Sequence, residues 1–368
     1  MAARLTHLEV LKQSLHHMEH DDGRKREIAF ALRDPALFSY AALGSVAPDM
    51  YYFYHLTNSL RNRKALFWGN LAHHSRVFEV VLAMLDELKN ESQGSQHQRK
   101  LAFVLGYLSH CATDIITHPF IFYITGDYYS ADPKKAARAQ AKHIRVEYAL
   151  DSWLVHHKWG MSVRKYNYLQ YVSGAAERNI DSKKQLDSAI WGLWVRALRR
   201  VFPREFEQFY IGQVEYIGKG DILNESFLGF LKFNALTDIR SRTIRFALRS
   251  LDHLTFHRLK TSLLIPPPPH KVGRRISNRE KESWKYPAQP DRVSDASFIE
   301  LVNESARYAE EMIADALAYV NGRERRSALE KKYLGYNLDT GIRSDSLKME
   351  SFDEVDQVDE DDPPSASS

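Results

Sequence analysis

The chain has 368 residues, of which 44% are hydrophobic and 27% are charged, and this balance excludes a largely disordered or fibrous protein. Its formal net charge of +4 conceals an asymmetry, because residues 350–362 carry eight acidic and no basic side chains. The remainder of the chain is therefore basic, which favours phosphate-bearing partners only weakly unless the charge forms a defined patch.

Cysteine content and apolar segments restrict the class of protein further. Cys111 is the only cysteine, so no disulfide can form within the chain. No run of about 18 uninterrupted apolar residues occurs, so we expect no transmembrane segment. The first residues lack the long apolar core of a signal peptide. We therefore expect a soluble, cytoplasmic protein.

Helical periodicity and helix-capping signals recur along the chain, whereas sustained strand alternation does not. The predicted helices cover residues 4–18, 24–33, 35–42, 75–89, 98–118, 132–157, 183–201, 204–217, 223–233, 237–258 and 294–320. Pro119 is expected to end the helix that begins at residue 98. Residues 44–49 are predicted as a turn, and residues 50–70 as irregular. The sequence thus predicts an all-α protein, a multi-helix bundle.

The predicted domain organisation is one helical domain followed by a tail. The helical domain covers residues 1–325 and includes a Pro-rich, basic loop at 265–290. Residues 337–368 are polar and then acidic, and they contain too few apolar groups to form a core. We expect this tail to be disordered.

Two sets of metal-type side chains recur at helical spacing. His110, Asp114 and His118 are four residues apart in an apolar helix, and His143 and Glu147 repeat the spacing in a second helix. Residues four apart lie on one face of an α-helix, so each set points in one direction. Imidazoles and carboxylates in an apolar interior need partners, which a metal or a buried hydrogen-bond network can supply.

Thirteen of the sixteen histidines precede residue 158. Neutral imidazole is a common zinc ligand, and an aspartate can bridge two ions. Several cations near one phosphate would polarise it and stabilise the leaving oxygen. A helical bundle can bring such ligands together from several helices, which places the predicted metal centre in the bundle core.

The order of these motifs resembles that of zinc-dependent phospholipases C and of the related single-strand-specific nucleases. The resemblance covers roughly residues 1–160 and is carried by five segments. They are Thr6-His7-Leu-Glu-Val-Leu, Gly44-Ser-Val-Ala-Pro-Asp49, Gly69-Asn-Leu-Ala-His73-His74, Gly106-Tyr-Leu-Ser-His110-Cys-Ala-Thr-Asp114 with His118, and His143-Ile-Arg-Val-Glu147.

The resemblance implies three zinc sites and a catalytic role for one aspartate. A first zinc would be held by Asp49, one of the adjacent His73 and His74, His110 and Asp114. A second would be held by His118, His143 and Glu147. His7 would hold a third, with Asp114 as a bridge. Asp49 is the implied general base or water-orienting residue, and we expect one to three zinc ions in the chain.

The resemblance also implies a reaction and leaves alternatives. We expect a zinc-dependent hydrolase of phosphate esters, of the phospholipase C type, in which a metal-bound hydroxide attacks phosphorus. A phospholipid is a possible substrate. A nuclease or other phosphodiesterase on the same scaffold is the first alternative, which makes nucleic acid a less favoured partner. The second alternative is a non-catalytic helical metal-binding protein.

Overall fold

The computed structural model of the protein describes residues 4–21, 23–55, 59–255 and 261–355. Fifteen α-helices occur in this part of the chain. They are α1 Arg4–Glu19, α2 Arg24–Ala31, α3 Pro35–Gly44, α4 Ser59–His74, α5 Val77–Asn90, α6 Ser95–Thr125, α7 Pro133–Trp159, α8 Leu169–Val172, α9 Ser188–Val201, α10 Pro203–Phe209, α11 Ile222–Leu236, α12 Arg242–Leu254, α13 Arg274–Ser277, α14 Phe298–Val320 and α15 Arg326–Tyr333.

Four short strands form two antiparallel pairs within the described residues. Strand β1 (Ala176–Arg178) pairs with β2 (Lys184–Leu186), and β3 (Trp284–Tyr286) pairs with β4 (Gln289–Ser294). Neither pair is large enough to form a core layer. The predicted all-α class is confirmed, because the core is built from helices.

Helix α6 lies at the centre of the bundle and is buried on nearly all sides. It packs against α14, α3, α1, α7 and α5. The crossing with α3 is very close, because a Cβ atom added at Gly106 would lie 1.9 Å from the carbonyl oxygen of Ala41. Only glycine permits this approach. The contact brings the end of α3 next to His110, one turn further along α6.

The prediction that Pro119 ends its helix is wrong, because α6 continues to Thr125. A proline inside a helix cannot donate to the carbonyl group four residues earlier, here that of Ile115. The C-terminal segment packs against this irregularity. Gly341 lies so close that an added Cβ would be 2.4 Å from the Ile115 oxygen and 2.6 Å from Pro119 Cγ. The turn of α6 that lacks this hydrogen bond is therefore covered by the chain around Gly341.

Other predicted boundaries also differ from the structure. The helix predicted over 237–258 begins only at Arg242, and its residues 256–258 lie outside the described part of the chain. The region 50–70, predicted as irregular, contains most of α4, whose apolar residues are not confined to one face and gave a weak helical pattern. The helix predicted over 204–217 ends at Phe209. The helix predicted over 183–201 begins only at Ser188, where Asp187 accepts hydrogen bonds from the amides of Ala189 and Ile190. The residues before Asp187 form β2.

The Pro-rich loop and the chain after residue 337 both pack on the helices. Trp284 of the β3–β4 pair is buried, with its ring centroid 5.4 Å from that of Phe120 in α6. The sequence predicts a disordered tail from residue 337, whereas Asn337 and Leu338 are completely buried and the amide of Val355 donates to the Ile124 carbonyl oxygen at 2.9 Å. The rest of the predicted tail, residues 356–368, lies outside the described residues.

Candidate metal centre

Five elements bring the predicted ligands to one place in the core. They are α1 with His7, a 3-10 helix at Pro48–Phe53 with Asp49, α4 with His73, α6 with His110, Asp114 and His118, and α7 with His143 and Glu147. All eight side chains are buried. Their ligand atoms fall into three groups, within each of which the atoms lie no more than 4.8 Å apart. The groups are His7 with His110 and Asp114, Asp49 with His73 and His110, and His118 with His143 and Glu147.

Asp114 lies between these groups. Its Oδ1 atom is 3.4 Å from His7 Nε2 and 3.5 Å from His118 Nε2. Its Oδ2 atom is 2.9 Å from His110 Nε2 and 3.8 Å from His73 Nε2. One carboxylate thus presents its two oxygens to different imidazoles, which is the geometry that a bridging ligand requires.

Backbone carbonyl groups orient three of the imidazoles. Nδ1 of His73 lies 2.8 Å from the Gly69 oxygen, and Nδ1 of His110 lies 3.0 Å from the Ser45 oxygen. Nδ1 of His118 lies 3.2 Å from the Leu338 oxygen. If each Nδ1–H donates to its carbonyl, the lone pair of each ring is on Nε2, which faces the cluster. Hydrogen bonds of this kind fix both the tautomer and the orientation of metal-binding histidines.

The unsatisfied polar atoms of the cluster fit a bound cation. Within the described part of the chain, Asp49 Oδ2, Asp114 Oδ2 and His110 Nε2 are buried and have no hydrogen-bond partner. The last two lie 2.9 Å apart, but when His110 Nδ1–H donates to the Ser45 oxygen, Nε2 carries no proton and both atoms are acceptors. Buried polar atoms without partners are costly. Imidazole nitrogens and carboxylate oxygens are zinc-type donors, and a cation between them would satisfy these atoms.

The carboxylates of the cluster are held in their ionised form. Burial alone would raise the pKa of Asp49, but the neighbouring His73 and His110 outweigh it, and the pKa lies below its ordinary range. Burial likewise opposes ionisation of Asp114, yet His110 and His118 hold its pKa below the ordinary range. The site therefore presents negative charge inside the core.

The imidazoles respond to the same charges in different ways. Burial and the adjacent His110 lower the pKa of His7 to about 4, so this ring is neutral at pH 7. Burial also disfavours the charged form of His73, but Asp49 raises its pKa to about 9. For His118, Asp114 and Asp339 overcome burial and raise the pKa to about 10. The carboxylates thus favour positive charge at these positions, either as a proton or as a cation.

Asp151 lies one turn beyond Glu147 on α7 and orients the start of α1. Its Oδ1 atom accepts hydrogen bonds from the amide and the hydroxyl group of Thr6, each at 2.9 Å, and Oδ2 accepts one from the amide of Leu5 at 3.2 Å. The first amides of a helix have no partner within the helix, and a carboxylate can satisfy them. Asp151 therefore fixes the turn that carries His7, and it is not part of the three ligand groups.

His74 points away from the three groups and contacts a residue that the sequence did not identify. Its Nε2 atom lies 2.6 Å from Asp339 Oδ2 and 2.8 Å from the Tyr129 hydroxyl. The structure thus brings His73, and not His74, to the other predicted ligands.

Asp339 is a buried residue next to the cluster. Its Oδ1 atom lies 3.3 Å from His118 Nδ1, on the side of the ring opposite Nε2. The amide of Leu338 donates to the His73 carbonyl oxygen at 2.8 Å and fixes this turn to the end of α4. Asp339 lies in a stretch that the sequence predicts as a disordered tail, and no motif around it marks a site.

Aromatic side chains line the opening to the cluster. Tyr52, Phe122, Tyr128 and Tyr129 surround it together with residues of the ligand groups. The rings of Tyr128 and Tyr129 have centroids 5.0 Å apart, and that of Phe122 lies 5.6 Å from Tyr128. A ligand that reaches the polar cluster therefore passes between packed aromatic rings.

Comparison with protein-family models matches residues 6–204, more than half of the chain, to the family described as zinc-dependent phospholipase C. The match includes all eight residues of the three ligand groups and excludes Asp339. Comparisons with curated proteins and with solved structures gave no significant match. The helical core, the buried set of imidazole and carboxylate ligands and the family match agree, and the chain belongs to the zinc-dependent phospholipase C family.

Proposed function

We propose that the protein hydrolyses a phosphodiester bond of a phospholipid at the three ligand groups, with Asp49 as the general base or water-orienting residue. The observation that carries this proposal is the arrangement of five imidazoles and three carboxylates as three neighbouring groups. Two of the groups share His110, and Asp114 faces a histidine of each group. A single structural zinc site needs only four ligands and is closed. Eight candidate ligands in three groups suit more than one ion, with coordination positions left for a substrate.

When bound, zinc would polarise the phosphate group and neutralise the charge that develops on its oxygens. The chain's own residues prepare this environment. Asp114 supplies charge between the groups, while the carbonyl groups of Gly69 and Ser45 hold His73 and His110 in one orientation. Because the side chains are oriented before substrate binds, little reorganisation accompanies the reaction.

The position of Asp49 supports its proposed role. Its Oδ1 atom lies 3.3 Å from His73 Nε2, whereas Oδ2 is buried and has no hydrogen-bond partner among the described residues. The lowered pKa makes this carboxylate a weak base that is ionised at neutral pH, so it suits the water-orienting role better than that of a strong base. Oδ2 can therefore accept a hydrogen bond from an attacking water molecule, and Asp49 also borders the opening through which a phosphate group would enter.

The aromatic opening would exclude bulk water once a headgroup occupies it. Tyr52 and Tyr128 border the same opening as Asp49, and burial raises the pKa of both hydroxyl groups. Both side chains are therefore neutral hydrogen-bond donors at neutral pH. Neutral donors at the edge of the site can bind the phosphate oxygens of a lipid headgroup without adding charge.

The test is hydrolysis by the purified, zinc-loaded protein of phosphatidylcholine, phosphatidylethanolamine and a short-chain soluble phosphodiester. We expect release of a phosphorylated headgroup and a diacylglycerol, and no release of fatty acid. Asp49→Asn should lower kcat by at least about 100-fold with a small change in KM, because a base acts mainly in the transition state. Asp181→Asn, an exposed aspartate near the β1–β2 pair, is the control and should leave both constants unchanged.

Two outcomes would favour the alternative functions. Cleavage of single-stranded DNA in preference to every phospholipid would indicate a nuclease, in which the aromatic rings at the opening stack on bases. Absence of turnover on all phosphoesters, with zinc bound, would indicate a non-catalytic metal-binding protein.

A further inference from the structure

Helix α12 differs from the other long helices in where its apolar side chains lie. It contains Ile244, Phe246, Leu248, Leu251 and Leu254, yet none of these is buried, and Asp252 is the only buried residue of the helix. Phe246 is 72% exposed, Leu251 42% and Leu254 75%. Exposed apolar groups that cluster on one element commonly mark an interaction site.

A second amphipathic helix shows that this exposure is not a general property of the fold. Helix α9 also has basic residues in its last turn, but it packs its apolar side into the core, where Trp191, Trp194 and Leu198 are buried. In contrast, α12 packs mainly against the short segment Thr261–Leu264 among the described elements. No described element covers the apolar side of α12, which is exposed in this part of the chain.

The exposed side chains of α12 form one continuous surface. At 3.6 residues per turn, Phe246, Leu254 and Leu251 fall within an arc of about 140°. Arg249, Arg242 and His253 follow at the edge of this arc next to Phe246. We name the surface formed by Arg242, Phe246, Arg249, Leu251 and Leu254 the α12 surface.

The charge of the α12 surface is positive. No acidic side chain in the described part of the chain forms an ion pair with Arg242, Arg245 or Arg249. The pKa of Arg164 lies below its ordinary value because of burial and because Arg245 and Arg249 are close, so the basic groups form a cluster. Arg240 is not one of these unpaired arginines, because it forms an ion pair with Asp238.

We propose that the α12 surface binds the surface of a bilayer that contains anionic phospholipids. Apolar side chains beside arginines on a helix that lies on the protein surface suit this partner, because the rings and methyl groups enter the acyl boundary while the guanidinium groups stay with the phosphates. A second protein would need an acidic and apolar surface that matches the α12 surface. An anionic bilayer has negative headgroups above apolar chains everywhere on its surface.

Binding to a bilayer would serve the proposed function, on which this inference rests, because it would bring the protein to a phospholipid substrate. A phospholipid in a bilayer is present only at a surface, so an enzyme that binds the surface meets its substrate at high local concentration. Helix α12 follows α11 directly along the chain, and α11 packs against the 3-10 helix that carries Asp49. The bilayer-binding helix is thus connected through one helix to the candidate catalytic residue.

The first experiment measures co-sedimentation of the full, zinc-loaded chain with vesicles. One vesicle preparation is phosphatidylcholine alone, and the other also contains phosphatidylglycerol. We expect stronger binding to the second, which weakens as salt is added. The triple variant Phe246→Ser, Leu251→Ser, Leu254→Ser and the double variant Arg242→Gln, Arg249→Gln should each weaken binding by roughly tenfold or more.

Matched controls test whether position, and not composition alone, matters. Ile180→Ser removes a side chain that is fully exposed in the turn between β1 and β2, and Lys183→Gln removes a charge from the same turn. Both variants should bind vesicles as the wild type does. Equal weakening by these controls would contradict a role specific to the α12 surface.

A second experiment separates this proposal from the proposed function. Hydrolysis of a short-chain soluble phosphodiester should be unchanged in the triple variant, while hydrolysis of vesicle phospholipid falls with the loss of binding. If the wild type hydrolyses no phosphodiester, the proposed function fails and vesicle binding still tests the α12 surface. The proposal is overturned if the wild type does not prefer anionic vesicles, or if it is a dimer that the triple variant converts to monomers.

Discussion

The metal centre and the α12 surface depart from the usual distribution of side chains in opposite directions. The metal centre buries carboxylates and imidazoles in the middle of the bundle, whereas the α12 surface leaves large apolar groups in water. Each arrangement costs free energy in the isolated chain. Each becomes favourable when a partner of the right chemistry is present, a cation in the first case and an anionic bilayer in the second. Apolar side chains are usually buried and charged side chains usually exposed. The comparison shows that a departure from this distribution in either direction can indicate a ligand.

The largest effect is expected in the metal centre, from removal of the charge of Asp114, which faces all three ligand groups. Asp114→Asn should lower zinc affinity by at least 100-fold, because its two oxygens face imidazoles of all three ligand groups. Metal content after dialysis against a weak chelator is the measurement. Asp151→Asn, which changes an equally buried aspartate outside the ligand groups, should lose much less zinc, because it affects only the turn that carries His7. Equal loss from both variants would show that burial, and not ligation, explains these aspartates.

The second prediction concerns Asp151 and pH. Burial outweighs the hydrogen bonds from Leu5 and Thr6 and raises its pKa from the ordinary value of about 3.9 to about 7. The folded chain thus keeps a proton that the unfolded chain has already lost. The stability that Asp151 contributes is greatest below about pH 4 and falls as the pH rises to about 7, by roughly 4 kcal/mol at most.

Chemical denaturation at several pH values measures this effect. The difference in free energy of unfolding between the wild type and Asp151→Asn should decrease over that pH range, and the zinc centre, common to both proteins, cancels in the difference. A difference that increases with pH would contradict the raised pKa.

The third prediction tests the contact between the C-terminal segment and α6. Gly341 has φ of 67°, and a Cβ atom there would meet the backbone oxygen of Ile115 and the ring of Pro119. Gly341→Ala should therefore lower the free energy of unfolding by about 2 kcal/mol or more. The control is Gly322→Ala, which has a similar φ of 72° but no atom within 4 Å of the added Cβ. A thermal melt of the two variants should show the larger loss for Gly341→Ala.

The fourth prediction concerns Asp339, which contacts the metal centre from its outer side. Asp339→Asn removes the charge that faces His118 Nδ1, which lowers the basicity of the ring. Zinc affinity of the group that contains His118, His143 and Glu147 should fall by about 10- to 100-fold. Titration with a fluorescent zinc chelator measures this change. Asp345→Asn, an exposed aspartate on the same segment, should bind zinc as the wild type does.

The smallest effect on stability is expected from changes to the α12 surface. Replacement of Phe246 and Leu254 by serine should change the free energy of unfolding by no more than about 0.5 kcal/mol, because neither side chain is buried in the fold. Urea denaturation of the double variant is the measurement. A loss of several kcal/mol would mean that these side chains support the fold, and would weaken the interpretation of the α12 surface as a docking surface.

The proximity of the candidate ligands on α6 and α7 could be predicted from the sequence because their spacing is local. The four-residue spacing of His110, Asp114 and His118 fixes their common face within one helix, as does that of His143 and Glu147. The apolar sequence around them predicts burial. The structure brings these residues together with His7, Asp49 and His73. The resemblance to a known family was needed to include the last three, because each stands alone in its segment.

Tertiary structure alone decided which of His73 and His74 faces the cluster, how far α6 extends and where the C-terminal segment lies. Pro119 reads as a helix end when only its neighbours are considered, yet packing of Gly341 against the same turn lets α6 continue. Asp339 stands in a polar stretch without periodicity, so no local signal reveals that it contacts His118 and His74. The sequence by itself determines what repeats within one helix, whereas contacts between residues more than 200 positions apart depend on how the helices pack.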